Sequence, residues 1–311
     1  MKNTIKILGL IAIIMVSSLL IFATKSTSEN KKIKENKAII NDTNTSETYQ
    51  IRALKIPTNL EFAGERVPIE KADIKERIDR ELLVNTYWQS NGLLLFKRAH
   101  KYFPIIEPIL EKNGIPDDFK YLAVIESGLQ NVTSPAGAKG FWQIMSSTAK
   151  ENGLEVNSNV DERYHLEKAT QVACDYLNAA KERFGNWTMA AAAYNAGNAG
   201  MSRKINDQKV ENYYDLLLVS ETSRYLPRIV AVKEILSNPN KYGFIFDKED
   251  LYALEATKTI KVDTVITDIA VFSKGLGINY KILKTHNPWL RENKLNNKSR
   301  KSYEIKIPTE L

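Results

Sequence analysis

One cysteine in 311 residues rules out an internal disulfide, so the fold must rest on apolar burial, for which this length is ample. That cysteine, Cys174, lies inside the helical pattern Leu166, Ala169, Val172, Ala173, Tyr176, Leu177, Ala180. It reads as a small buried hydrophobe, not a nucleophile. The three histidines, His100, His165 and His286, have no metal-ligand spacing, and no aspartate cluster suggests calcium. Neither a metal nor a cofactor is expected. Strand signals are nearly absent between Ala72 and Leu236, which excludes a β or α/β fold for that stretch.

Charge decides less. The chain carries a net +7, with basic residues dispersed apart from Lys31-Lys32-Ile33-Lys34 and the segment from Lys294 to Lys301. A solvated surface is the default reading, and a basic face suited to an anionic polymer or a membrane surface is the sharper one. Lys2 and Lys6 precede an uncharged apolar run, Ile7 to Ala23. Residues 1–23 therefore read as a signal peptide or as an N-terminal membrane anchor, and the run fits both lengths. Either way the protein is expected to be exported to the periplasm or cell envelope, which speaks against nucleic acid as a partner. No cysteine near the end of the run offers a lipid attachment point.

Residues 24–71 divide into a tether to about Tyr49, rich in Ser, Thr, Asn, Lys and Glu, and an extended or irregular segment with two prolines. Residues 72–240 are helical in period throughout. Breaks are expected at Asn91-Gly92, Asn113-Gly114-Ile115-Pro116, Gly153, Gly185-Asn186 and Asn238-Pro239. Over 255–311 the pattern changes: Lys258–Val262 and Tyr303–Ile307 alternate as strands do, with two helical stretches between them. The fold class expected is mainly α, an all-α domain followed by a small α+β domain.

Within the helical part, Pro116-Asp117-Asp118 opens a helix that Gly128 ends. Phe119, Leu122, Ala123 and Glu126 fall at i, i+3, i+4 and i+7, so Glu126 sits on the face that should be buried. Burial raises a carboxyl's pKa and suits it to general acid work near neutrality. A core glutamate satisfied by hydrogen bonds remains the plain alternative.

Three further blocks accompany this helix: Gly140-Phe141-Trp142-Gln143-Ile144, Ala193-Tyr194-Asn195-Ala196-Gly197 and Glu221-Thr222-Ser223-Arg224-Tyr225-Leu226-Pro227. With Glu126-Ser127, their order and separation resemble the signature of the family 1 lytic transglycosylases, whose catalytic domain is lysozyme-like. The last block resembles the membrane-bound lytic murein transglycosylase D branch. The resemblance covers roughly Val84 to Leu236. The C-terminal layout, with Asp263-Thr264, Ile269-Ala270, Asn287 and Ile307-Pro308, resembles a LysM domain, a module that binds N-acetylglucosamine polymers. It departs in having Val262 where a glycine is usual, and in its long basic segment before the last strand. Glycan binding and a stabilising appendage both stay open for it.

The resemblance implies cleavage of the β-1,4 bond between N-acetylmuramic acid and N-acetylglucosamine in peptidoglycan. Glu126 would protonate the bridging oxygen. As a carboxylate it would then take the proton of the C6 hydroxyl that attacks C1, leaving a 1,6-anhydro end, with the acetamido group assisting. Ser127 would hydrogen-bond substrate beside Glu126, and Gln143 would meet an acetamido group. Tyr194 and Asn195 would face the groove, the Tyr194 hydroxyl orienting Glu126 or contacting the sugar, and Tyr225 would direct a second hydroxyl at Glu126. Gly137 and Gly140 would let the loop backbone approach the sugar, while Phe141 and Trp142 read as core. A monomer working on glycan strands is expected.

A single acid suffices only because the substrate supplies its own nucleophile; most hydrolytic glycosidases need a second carboxylate. Glu151, Glu155, Asp161, Glu162 and Glu167 sit in polar or loop contexts, Asp161 as a turn or cap, and Glu221 reads as structural. A lysozyme-type hydrolase of the same bond and a non-catalytic wall-binding protein remain as alternatives.

Overall fold

The computed structural model describes residues 51–310; the apolar run at Ile7–Ala23 and the tether lie outside them. The stretch that the sequence leaves irregular contains a short hairpin, β1 (Glu61–Phe62) and β2 (Glu65–Arg66). Helices follow: α1 (Ala72–Tyr87), α2 (Gln89–Lys112), α3 (Lys120–Ser127), α4 (Ser146–Glu151), α5 (Leu166–Phe184), α6 (Trp187–Ala196), α7 (Asn198–Gln208), α8 (Ser220–Ser223) and α9 (Tyr225–Ser237). The expected all-α body is present.

Its centre is α6. Ala190, Ala191, Ala192 and Ala193 are fully buried, and four methyl side chains in a row let α5, α7 and α9 pack closely against this helix. The hairpin is part of the same core. Phe62, fully buried, meets Phe119 edge-on at 5.0 Å, and Phe119 meets Trp187, the first residue of α6, at 5.3 Å. The carboxylate of Glu65 then accepts hydrogen bonds from the backbone N–H groups of Trp187 (2.7 Å) and Thr188 (2.8 Å). Those donors have no partner inside the helix, and the positive end of the helix dipole favours the charge.

The break between α1 and α2 falls at Trp88 (φ −88°, ψ 61°), not at Asn91-Gly92, which lies within the first turn of α2. Gly92 answers a packing demand there: a Cβ would stand 2.5 Å from Cζ of Phe244. The other expected breaks coincide with helix ends at Lys112, Glu151, Phe184 and Ser237.

The C-terminal part runs β3 (Thr257–Val262), α10 (Ile269–Gly275), α11 (Tyr280–His286) and β4 (Tyr303–Pro308), with β3 and β4 antiparallel and Ile260 opposite Ile305. Tyr303, Ile305 and Ile307 alternate inward. Asn287, fully buried, donates to the carbonyls of Leu283 (2.9 Å) and Lys306 (2.7 Å) and accepts from Lys306 N–H (2.8 Å), tying the end of α11 to β4. This core borrows Val160 and Tyr164 from the helical body. Lys301 and Tyr303 both reach Glu155 at 2.8 Å, so part of the basic segment serves docking and not a free surface.

Among the described residues no helix is long and apolar enough to cross a membrane, and no group of three or more His, Cys, Asp or Glu side chains could hold a metal. Cys174 is buried, which pushes its thiol up to about 12, with Asp175 adding to the rise.

If the hairpin is core, Phe62→Ala should cost about 3–5 kcal/mol of stability. Chemical denaturation measures this, and an unchanged midpoint would make the hairpin peripheral.

Candidate active site

Glu126 occupies the last turn of α3, which Gly128 terminates in the left-handed conformation (φ 60°). Its neighbours on the apolar face, Phe119, Leu122 and Ala123, are fully buried, while Glu126 itself is largely enclosed yet opens on a groove. Burial pushes its carboxyl up to about 7. A hydrogen bond from Tyr225 and the charge of Arg228 pull the other way, and Glu221 adds to the rise.

Tyr225, the first residue of α9, donates its hydroxyl to Oε1 of Glu126. The fourth sequence block therefore delivers a donor straight to the candidate acid. Tyr194, near the end of α6, donates instead to the carbonyl of Trp142 at 2.7 Å and packs edge-on against Tyr176 at 5.3 Å. Burial and then the Glu126 charge push its hydroxyl well above the ordinary tyrosine range, and its hydrogen bond goes to Trp142, not to Glu126.

Gln143 adopts φ +46°, a left-handed conformation that an ordinary side chain occupies at a cost. Its Nε2 donates to the carbonyls of Gly140 (2.8 Å) and Val132 (3.2 Å). Both amide protons are thus engaged, and the amide oxygen is what remains to meet a donor such as an acetamido N–H. Gln143 shares a cavity of about 250 Å³ with Tyr176, Tyr194 and Asn195. Asn195 accepts from the Thr222 hydroxyl (2.8 Å) and donates weakly to Glu221 (3.4 Å), so the third and fourth blocks are linked.

Two of the expected residues make contacts within the protein. Ser127 is buried, and its hydroxyl is committed within the protein: it lies 2.8 Å from the Phe141 carbonyl and 3.2 Å from that of Ala123, and it accepts from Gln130 N–H at 3.3 Å. It ties α3 to the Gln143 loop while lining the Glu126 groove. Gly140 makes its close approach to protein, since a Cβ there would stand 2.0 Å from the Arg163 carbonyl oxygen. Phe141 and Trp142 are core, with the Trp142 indole N–H donating to Thr170 at 2.8 Å.

The sequence reading missed Glu81. This carboxylate is buried on α1 and faces three guanidinium groups, those of Arg80, Arg224 (3.6 Å) and Arg228 (3.7 Å). It lines the groove of about 420 Å³ that holds Glu126, whose rim carries the exposed Trp88. The signal was present: Ile74, Ile78, Glu81 and Leu82 share one face of α1, the same pattern that singles out Glu126.

The chain is similar to known protein families over two stretches. Residues 103–217 match the transglycosylase SLT domain, and residues 258–311 match the soluble lytic transglycosylase C-terminal LysM-like domain. Over 235 residues the chain is 28% identical to membrane-bound lytic murein transglycosylase D of Escherichia coli strain K12, covering 73% of this chain and 50% of that protein. The same figures hold for the protein of that name from Escherichia coli O6:H1. The chain thus spans about half the length of these relatives. Residues 103–217 thus carry a transglycosylase SLT domain match, joined in this chain to a match to the soluble lytic transglycosylase C-terminal LysM-like domain.

Proposed function

We propose that the protein is a lytic transglycosylase of the cell envelope that cleaves peptidoglycan between N-acetylmuramic acid and N-acetylglucosamine, leaving a 1,6-anhydromuramic acid end. The observation that carries this reading is Glu126, a carboxyl held near pH 7 by burial, open to a groove and hydrogen-bonded by Tyr225. The family match and the murein transglycosylase relatives support the substrate class.

In the first step Glu126, protonated, gives its proton to the bridging oxygen as the bond from C1 to that oxygen breaks. Tyr225 and Arg228 stabilise the carboxylate left behind. In the second, the C6 hydroxyl of the same muramic acid forms the new bond to C1, and its proton returns to Glu126. No water is consumed, and the acid is regenerated. Gln143 would hold an acetamido group through its amide oxygen, with Asn195 lining the same cavity.

A hydrolase would need a carboxylate free to activate water. Glu81 lies in the groove but is occupied by its arginines, and Glu221 is exposed and engaged with Asn195. The single-acid route therefore fits the side chains better.

The deciding test is mass analysis of purified peptidoglycan treated with the protein and with Glu126→Gln. Anhydro-muropeptides are expected from the wild type and none from the variant. Products heavier by one water would mean hydrolysis, and wall binding without any product would mean an adhesive protein.

Two pH predictions follow from the burial of Glu126. Its folded pKa of about 7 lies above the 4.5 of an exposed glutamate, so between those values the folded state holds the extra proton. Stability should therefore fall as pH rises from about 4.5 to 7, and Glu126→Gln, which cannot ionise, should escape the loss. At about pH 8 the variant should be the more stable by about 2–3 kcal/mol, with no advantage near pH 4, as thermal melts at both values would show. Tyr225→Phe removes a donor to the charged form, so the alkaline limb of kcat/KM should move up by about one unit. An unmoved limb in the pH–rate profile would separate Tyr225 from the acid.

A further inference from the structure

Gln143 sits in a tight turn whose ends are paired, Lys139 and Ile144 exchanging backbone hydrogen bonds at 3.1 Å each. With φ +46° this turn stores strain, and such a conformation persists only where its surroundings over-determine it. The surroundings here are mainly one side chain, that of Arg163. Its Nη1 donates to the carbonyls of Gly137 (3.1 Å) and Ile144 (3.2 Å), gripping the loop on both sides of Gln143. The Arg163 backbone carbonyl fills the space that Gly140 leaves by having no Cβ.

Arg163 is held in turn. Its Nε and Nη2 form a two-pronged pair with the Asp161 carboxylate at 2.9 and 2.8 Å, and both side chains are buried. Asp161 leads into the C-terminal module, where its N–H donates to the Trp289 carbonyl at 2.9 Å. Next to it Val160 bridges to Leu290, and the Asn159 carbonyl accepts from Arg291 N–H at 2.8 Å. The Asn159 side chain donates to the Lys294 carbonyl (2.6 Å) and accepts from Asn296 N–H (2.8 Å). The segment from Asn159 to Arg163 is therefore stitched to the module on one side and to the Gln143 loop on the other.

We infer that Arg163 is a positioning residue for Gln143, and that the LysM-like module, through its bonds to Asn159 and Asp161, is a structural part of the active site. The module then acts on catalysis without touching substrate. Arg163 suits the task because one planar guanidinium serves a carboxylate and two carbonyls at once, which a lysine cannot match.

This rests on the transglycosylase reading, and the test separates the two. In the full chain, kcat and KM for release of anhydro ends from peptidoglycan are measured for Arg163→Lys, Asn159→Ala, Gln143→Ala and each of the first two combined with the third, with melting temperatures alongside. Wild type without anhydro products would fail the functional reading itself. With an active wild type, Arg163→Lys and Asn159→Ala should each lower kcat/KM about ten- to a hundredfold, the scale of a misplaced binding group. The alkaline limb set by Glu126 should stay in place. In the Gln143→Ala background the further loss should shrink to about twofold or less, because the group being positioned is gone. Multiplying losses, a shifted limb, or full activity in Asn159→Ala would overturn the inference. If Arg163→Lys does not fold, Asn159→Ala decides alone, since it removes only side-chain bonds to the module.

Discussion

The desolvation of one carboxyl governs the design of the helical body. A glutamate in water loses its proton well below neutrality, and only an apolar wall moves it far enough to act as an acid at pH 7. The carboxyl shares its helix face with the buried Phe119, Leu122 and Ala123, and the remainder of the site answers the problem that burial creates. In the proposed mechanism the buried acid also bears a negative charge, which needs a donor, and Tyr225 brings one from α9. It needs distant positive charge, and Arg228 supplies that while its partner Glu81 keeps the guanidinium group in place. The opposing influences on Glu126 leave it between a permanent acid and a permanent anion.

The sequence was most legible where period and chemistry disagree. Glu126 stood out because a carboxyl fell on an apolar stripe, and the helix carrying it is present with its glycine stop. The β-α-α-β order of the C-terminal part was readable from its change of period. Glu81 showed the same conflict on α1 and was passed over, since the surrounding run of Lys, Arg, Asp and Glu made the helix look solvated. What no local pattern carries is partnership across the chain. Ser127 and Gly140 read as site residues because they adjoin Glu126 and Gln143 in the chain, whereas their contacts, with Phe141 and Arg163, depend on tertiary neighbours. The hairpin was illegible for a related reason: two-residue strands have no period, and Phe62 finds its pocket only in the assembled body.

The C-terminal module is legible in outline from its sequence, which leaves glycan binding and a stabilising role both open. Its basic segment suggests an outward face for an anionic polymer, yet Lys301 turns to Glu155 and Glu162, and Lys306 pairs with Glu167. Ion pairs of this partly exposed kind contribute little energy individually. They stand beside the backbone bonds at Asn159 and Asp161 that join module and body.

The Glu65 cap on α6 has a consequence in time. Its partners Trp187 and Thr188 lie 122 and 123 positions further along the chain, and Lys233, 172 positions beyond Glu61, closes the same corner. Contacts this remote demand loop closure before they return any energy, and they slow folding accordingly. A helical body would ordinarily assemble quickly from neighbours. Here α6, the helix at its centre, has a local cap in Asn186, and the hairpin's Glu65 adds to it only once these distant parts of the chain have met.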